Sequence, residues 1–191
     1  MTITAIKNTV LTLEEFLQQD YIEESPAYEY IDNDIIKKPM PKIHHSRIQI
    51  KLASLIESIV ETEKIVVVFT ELRCNFGSRS IVPDIVVVSL DKIPLNEDNE
   101  LENNSIFFPP DWTIEILSPN QKQTKVIDNI LYCLEYGTSL GWLIDTDEKI
   151  IMVFEPEKPL KIYRDQEILP ILKNTNLQLT PHKIFSWLKL K

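Results

Sequence analysis

Apolar positions along the chain change period several times, and each change marks an element. Thr12 with Glu15 has the spacing of a capping box ahead of a short helix. Tyr28 to Ile36 alternates as two short strands about Asp32-Asn33, where Asn33 can take a left-handed conformation. From Ser46, residues 46–60 place Ile48, Leu52, Leu55, Ile56 and Ile59 at helical spacing, with Ser46 and Gln49 as a capping box. Residues 64–69 and 71–76 read as strands, closed by Gly77-Ser78 into an antiparallel meander with the strand after Pro83. A polar, acidic loop fills residues 90–110 and is long enough to be either mobile or functional. Val126, Ile127, Ile130, Leu131 and Leu134 then predict a helix ending near Gly137. Residues 140–144 and 150–154 form two apolar strands around Thr146-Asp147-Glu148. Thr180-Pro181 caps a last helix carrying Ile184, Phe185, Trp187 and Leu188. The resulting expectation is an α/β domain.

Two carboxylates break the apolar runs. Asp84 lies in Ile81-Val82-Pro83-Asp84-Ile85-Val86-Val87-Val88 and Glu115 in Trp112-Thr113-Ile114-Glu115-Ile116-Leu117, both composed like buried strands. An ionised carboxylate taken out of water without a partner costs several kcal/mol or shifts its pKa. One compensator is a divalent cation between them, since Mg²⁺ favours carboxylate oxygens, carbonyls and water. Lys125, ten residues beyond Glu115 on the next helix, can return to the same cleft. Asp, Glu and Lys around one ion would suit phosphodiester hydrolysis. The residues leave an alternative open: Asp84 as a strand-start turn residue, and Glu115 salt-bridged to Arg73 or Arg79.

The same blocks carry a resemblance. Val82-Pro83-Asp84-Ile85-Val86-Val87-Val88 and Ile114-Glu115-Ile116-Leu117-Ser118-Pro119 resemble the signature of the Uma family of restriction endonucleases, a branch of the PD-(D/E)XK nuclease superfamily. Tyr28-Glu29-Tyr30-Ile31-Asp32, Pro39-Met40-Pro41, His45-Ser46-Arg47-Ile48-Gln49 and Gly141-Trp142-Leu143-Ile144-Asp145 resemble further family blocks in the same order. The resemblance implies an α+β fold with a mixed central sheet flanked by helices. It also implies Mg²⁺ (or Mn²⁺) bound by Asp84, Glu115 and the backbone carbonyl of Ile116. Two departures stand out: the superfamily's usual lysine position holds Leu117, and the helix position used in this branch holds Asn129. Lys125 is one turn earlier on the same face, so either the lysine has moved or the site is degraded.

Secondary candidates are weaker. Asn129 is a polar neighbour of Lys125. Glu29 is either an exposed strand position or a site residue; Glu57 on the first long helix can face the cleft, and Glu71 at a strand head is either an extra metal ligand or, more plainly, a strand-end charge. His45 sits just ahead of the long helix, as a neutral hydrogen-bonding imidazole or a phosphate contact. Trp142 reads as core.

Composition changes the picture at one point. With 191 residues and 43% apolar content, the chain fits one restriction-endonuclease-like domain over 1–191, with an N-terminal helix and hairpin extension over about 1–42. Cys74 and Cys133 read as buried free thiols, and no apolar run is long enough for a membrane span, so a cytoplasmic location is expected. The net charge of -9 opposes general nucleic-acid binding, which depends on phosphate neutralisation. Lys37, Lys38, Lys42, Arg47 and Lys51 cluster around the first long helix as a basic groove or, more simply, a solvated face. The function expected is DNA cleavage by a homodimer, since one cleft on one face needs a partner to cut both strands. A catalytically inactive module for nucleic-acid binding or protein assembly is the alternative.

Overall fold

The computed structural model describes residues 11–63, 66–119, 121–173 and 177–190. Residues 1–10 of the expected N-terminal extension, Lys64 at the predicted strand start and the side chain of Ile59 lie outside the described set. Four α-helices and ten strands make up an α+β fold among these residues. In chain order they are α1 (Leu13–Leu17), β1 (Tyr28–Ile31), β2 (Asp34–Lys37), α2 (Ile43–Glu63), β3 (Val66–Thr70), β4 (Cys74–Phe76), β5 (Arg79–Ile81) and β6 (Ile85–Ser89). Then follow β7 (Trp112–Ile116), α3 (Gln123–Glu135), β8 (Leu140–Asp145), β9 (Ile150–Phe154), β10 (Lys161–Tyr163) and α4 (Pro181–Ser186).

Six strands form a mixed sheet in the order β10-β9-β8-β7-β6-β3, and four form an antiparallel sheet in the order β2-β1-β5-β4. Only β7 and β8 pair in parallel within the larger sheet, because α3 lies between them as a crossover, whereas its other neighbours are antiparallel. Side-chain alternation separates the two faces of this sheet. Ile85 and Val87 join Ile48, Leu52 and Ile56 of α2, with Trp112 and Trp142, in one core. Val86 and Val88 face the other way, with Cys74, Phe76, Ile81 and Cys133. Val126 and Ile130 of α3 meet Leu143 and Met152 in a third cluster. Burial on both faces explains the unbroken apolar run of β6.

Several expectations need revision. Residues 66–89 do not form a consecutive meander. β3 pairs with β6, whereas β4 and β5 form a hairpin in the smaller sheet, where Tyr30 of β1 opposes Ser80 of β5. Glu71 turns the chain out of the large sheet with φ 53, and its N–H donates to the Asp84 carbonyl at 3.3 Å. The first hairpin needs two left-handed residues, Asp32 (φ 51) and Asn33 (φ 69), which matches the right-handed twist of its strands. Helix α2 begins three residues before Ser46, so Ser46 is interior, its N–H bonded to the Lys42 carbonyl, and no Ser46–Gln49 capping box forms. The 90–110 connection is tied down: Leu95 bridges Leu101, Ile106 bridges Cys74, and Asn96 Oδ1 accepts the N–H groups of Asp98 and Glu100. The Thr12–Glu15 capping box and the Thr180–Pro181 helix start are present. No helix among the described residues is long and apolar enough to cross a membrane.

Candidate active site

The carboxylates meet where the two sheets touch. Glu115 alternates with Ile114 and Ile116 of β7 and so projects away from α2. Pro83 ends the smaller sheet's contribution and delivers Asp84 to the start of β6. Both acids are almost fully buried, Asp84 at 3% exposure and Glu115 at 4%.

Their shared partner is Lys38, between β2 and the extended Pro39-Met40-Pro41. The Lys38 N–H donates to the Ala27 carbonyl, which fixes its backbone beside the hairpin. Its Nζ donates to the Val82 carbonyl at 2.6 Å and to Asp84 Oδ1 at 2.8 Å, and lies 3.7 Å from Glu115 Oε2. The opposite Asp84 oxygen, Oδ2, accepts the Ile116 N–H at 2.7 Å and pairs with His45 Nε2 at 3.0 Å. Because a carboxylate only accepts, Nε2 carries the proton in this contact. Gln49 Nε2 donates to the Asp84 carbonyl at 2.9 Å. Buried Glu29 accepts the Val82 N–H through Oε1 at 2.9 Å, so both backbone polar groups of Val82 are used at the site.

The charges are unequal. Desolvation alone would raise the Asp84 carboxyl, but Lys38 and His45 outweigh it and hold Asp84 well below the usual carboxylate range. Glu115 is pushed well above that range, first by burial and then by Asp84 and Glu29, against the pull of Lys38. Glu29 is raised mainly by burial. Desolvation opposes the Lys38 charge, yet Asp84, Glu115 and Glu29 together raise its pKa. Three buried acids thus surround one ammonium, and protons or a further cation must balance the remainder.

That imbalance tests the fit of a divalent ion. Asp84 Oδ1, Glu115 Oε2 and the Val82 carbonyl converge on Lys38 Nζ, which stands in for a cation held by hard oxygens. Among the described residues no cage of three or more His, Cys, Asp or Glu ligands exists. Two carboxylates are nevertheless the usual protein share for Mg²⁺, which retains waters and takes substrate phosphate oxygens. The residues fit such an ion.

The remaining candidates are spread around this centre. Glu71 lines a small cleft of about 20 Å³ with Lys38, His45, Asp84, Ser118 and Gln121, room for about one water. Lys125 is exposed and Asn129 buried on the wall of an adjoining cavity, also lined by Lys38 and Glu29. No hydrogen bond or ion pair joins Lys125 to Asp84 or Glu115 among the described residues. Glu57 accepts the Val68 N–H at 3.1 Å, where α2 meets β3. Ile116 reaches Asp84 through its N–H. The alternative pairing of Glu115 with Arg79 does not occur: Arg79 binds Asp32 and Asp128. Arg73 donates to the Ile22 and Tyr28 carbonyls and to Ser80 Oγ.

Sequence reasoning missed Lys38 by grouping it with a solvated basic face. Its only local signal is its position between a strand and a rigid Pro-Met-Pro segment. Gln49 was legible as a continuation of the α2 stripe, since 45, 49, 52 and 56 share one helical face.

A restriction-endonuclease-type fold with paired acids at a sheet seam is what these residues build, and the family match agrees. Residues 13–188 match the family described as Uma2, "Putative restriction endonuclease", and the chain belongs to that family. Among solved structures it is similar to a "putative nuclease belonging to DUF820" from Anabaena variabilis, at 45% identity and a TM-score of 0.89. That likeness covers 94% of this chain and 99% of the other. No curated protein matches this chain.

Proposed function

We propose that this chain is a DNA endonuclease that hydrolyses phosphodiester bonds with Mg²⁺ or Mn²⁺ held by Asp84, Glu115 and the backbone carbonyl of Ile116. The observation that carries the proposal is the convergence of buried Asp84 and Glu115 on a single ammonium, with buried Glu29 bound to the Val82 N–H beside them. When bound, the ion would supply an activated water and counter-charge for the phosphate. His45 and the Ile116 N–H fix Asp84 through Oδ2 and leave Oδ1 to face a cation. Lys38 is the ammonium nearest both acids, and we assign it to orient the attacking water or donate to a phosphate oxygen. Lys125, on the adjoining wall with Asn129, is assigned to a neighbouring phosphate. Glu71 at the cleft rim is a further polar contact, whereas Glu57 belongs to the helix–strand join.

The proposed unit is one domain over the whole chain. Cutting both strands calls for a homodimer, which light scattering on purified protein tests; a monomer at cleavage-competent concentration would remove that part. The test of activity uses supercoiled plasmid and single-stranded DNA with Mg²⁺ or Mn²⁺. Wild type should cut, and Asp84→Asn and Glu115→Gln should not. Intact DNA with wild type, or equal cutting by the variants, overturns the reading. One observation favours a second reading, a catalytically inactive binding or assembly module: the Lys38 ammonium fills the oxygen cradle. Calorimetric Mg²⁺ titration separates the two, because the inactive module should give no binding heat that Asp84→Asn removes.

A further inference from the structure

Beside the carboxylates, the β1–β2 hairpin and the start of α3 form the walls of an open cavity of about 300 Å³. We infer that it seats one unpaired nucleotide of the strand bound at the Asp84–Glu115 centre, an inference that rests on the nuclease reading. Lys38 and Glu29 line the cavity and also bond Asp84 and Val82 of the site, so the two places share a wall. Its volume sits at the lower end of the roughly 300–1,000 Å³ typical of small-ligand sites. A nucleotide fits that space and a stacked base pair does not, so the occupant must leave the stack or come from a single strand.

Wall chemistry points to the same occupant. Ile31, Ile36 and Val126 give an apolar surface for a base and sugar. Lys122 and Lys125 stand on the α3 side with no ion-pair partner among the described residues. Two of the neighbouring acids are engaged elsewhere, Arg79 pairing with Asp32 at 2.8 Å and Asp128 at 2.7 Å, and Asp34 lines the next depression rather than this one. Lys37 contributes less, since its Nζ donates to the Tyr28 hydroxyl and pairs with Glu24. Asn129 completes the seat. Arg79 donates to Asn129 Oδ1 at 3.5 Å, which turns that oxygen toward the guanidinium and leaves Nδ2 as a donor without a protein partner among the described residues. An amide donor between apolar walls and lysines suits the acceptor edge of a base. On a chain of net charge -9, this local cationic edge selects an anion-bearing ligand.

The test measures fluorescence anisotropy in EDTA, so binding is read without cleavage. Its probes are a short labelled single strand, the fully paired duplex and that duplex with one bulged nucleotide. Wild type should bind the single strand and the bulged duplex about tenfold more tightly than the paired duplex, in line with the contribution of one seated base. Ile36→Glu should abolish that preference. Asn129→Asp, which keeps an oxygen for Arg79 and removes the donor, should reduce it, and circular dichroism verifies that both variants fold. Equal affinity of wild type for paired and unpaired probes, no binding at all, or a preference unchanged in both variants overturns the inference. Preference without any cleavage of plasmid would sink the nuclease reading and leave the seat standing; cleavage without preference would do the reverse.

Discussion

The Lys38 ammonium donates to Asp84 Oδ1 at 2.8 Å across 46 positions of sequence. It is the cation that lies between the two buried acids Asp84 and Glu115, and removing it leaves them facing one another. We expect Lys38→Met to destabilise the fold by about 3 kcal/mol near neutral pH, the scale for breaking one side of a buried ion pair. Added Mg²⁺ should recover much of the loss. Urea unfolding with and without the ion measures both, and a stable, ion-indifferent variant would contradict the charge balance described.

Stability should fall with pH in metal-free buffer. Glu115 and Glu29 have folded pKa values above their ordinary 4.5, so the native state holds more protons than the unfolded chain just above that value. Their contribution is fully present below about pH 4.5 and is lost as pH rises through the elevated range. Asp84 acts oppositely: its contribution is present above its ordinary 3.8 and lost only as pH falls through its depressed value. Thermal melts from acid to neutral pH should show the decline, and Glu115→Gln should flatten it. A flat wild-type profile would refute the assigned shifts.

Kinetic variants should separate the two lysines. Lys38→Ala is expected to lower kcat by about 10²- to 10³-fold, as for loss of one donor to developing charge. Lys125→Ala should act mainly on KM, because Lys125 lines the adjoining cavity. Steady-state cleavage of a labelled oligonucleotide reads the split, and the opposite ranking would transfer the catalytic assignment to Lys125.

Arg79 joins the hairpin to α3. Besides Asp32 and Asp128, it lies over the Tyr132 ring at 4.3 Å. The two aspartates are more than half exposed, so each pair contributes only about 0–1 kcal/mol, and the ring adds about 0.5–1. Arg79→Ala should therefore cost about 1–2 kcal/mol in chemical denaturation, and the cost should shrink as salt screens the wild-type pairs.

Gly77, between β4 and β5, has φ 57, and a Cβ there would strike the Tyr132 hydroxyl and the Tyr136 ring. Gly77→Ala should lower stability by more than about 1 kcal/mol, since strain and collision add. A calorimetric Tm close to wild type would show that the rings yield.

Asp84 and Glu115 were legible because a carboxylate inside a doubly buried strand contradicts its surroundings at sequence level. The α2 stripe was equally plain, but its first turn was not: Ile43 and His44 are exposed, so periodicity gave no warning that the helix had begun. Sheet membership of β4 and β5 was hidden because it depends on the left-handed Glu71 and on pairing with β1, far away in sequence. Burial of Lys38 is likewise created by partners that a local window does not contain. The short β10 carries too few residues for alternation to register.

The backbone of Val82 is held at both of its polar atoms. Its N–H belongs to Glu29 and its carbonyl to Lys38, so the two peptide groups flanking one α-carbon tie the hairpin side of the molecule to the charged centre. Slippage of the smaller sheet against the larger would unseat an acid and a base together, which makes correct docking of the layers and electrical neutrality at their junction one and the same condition.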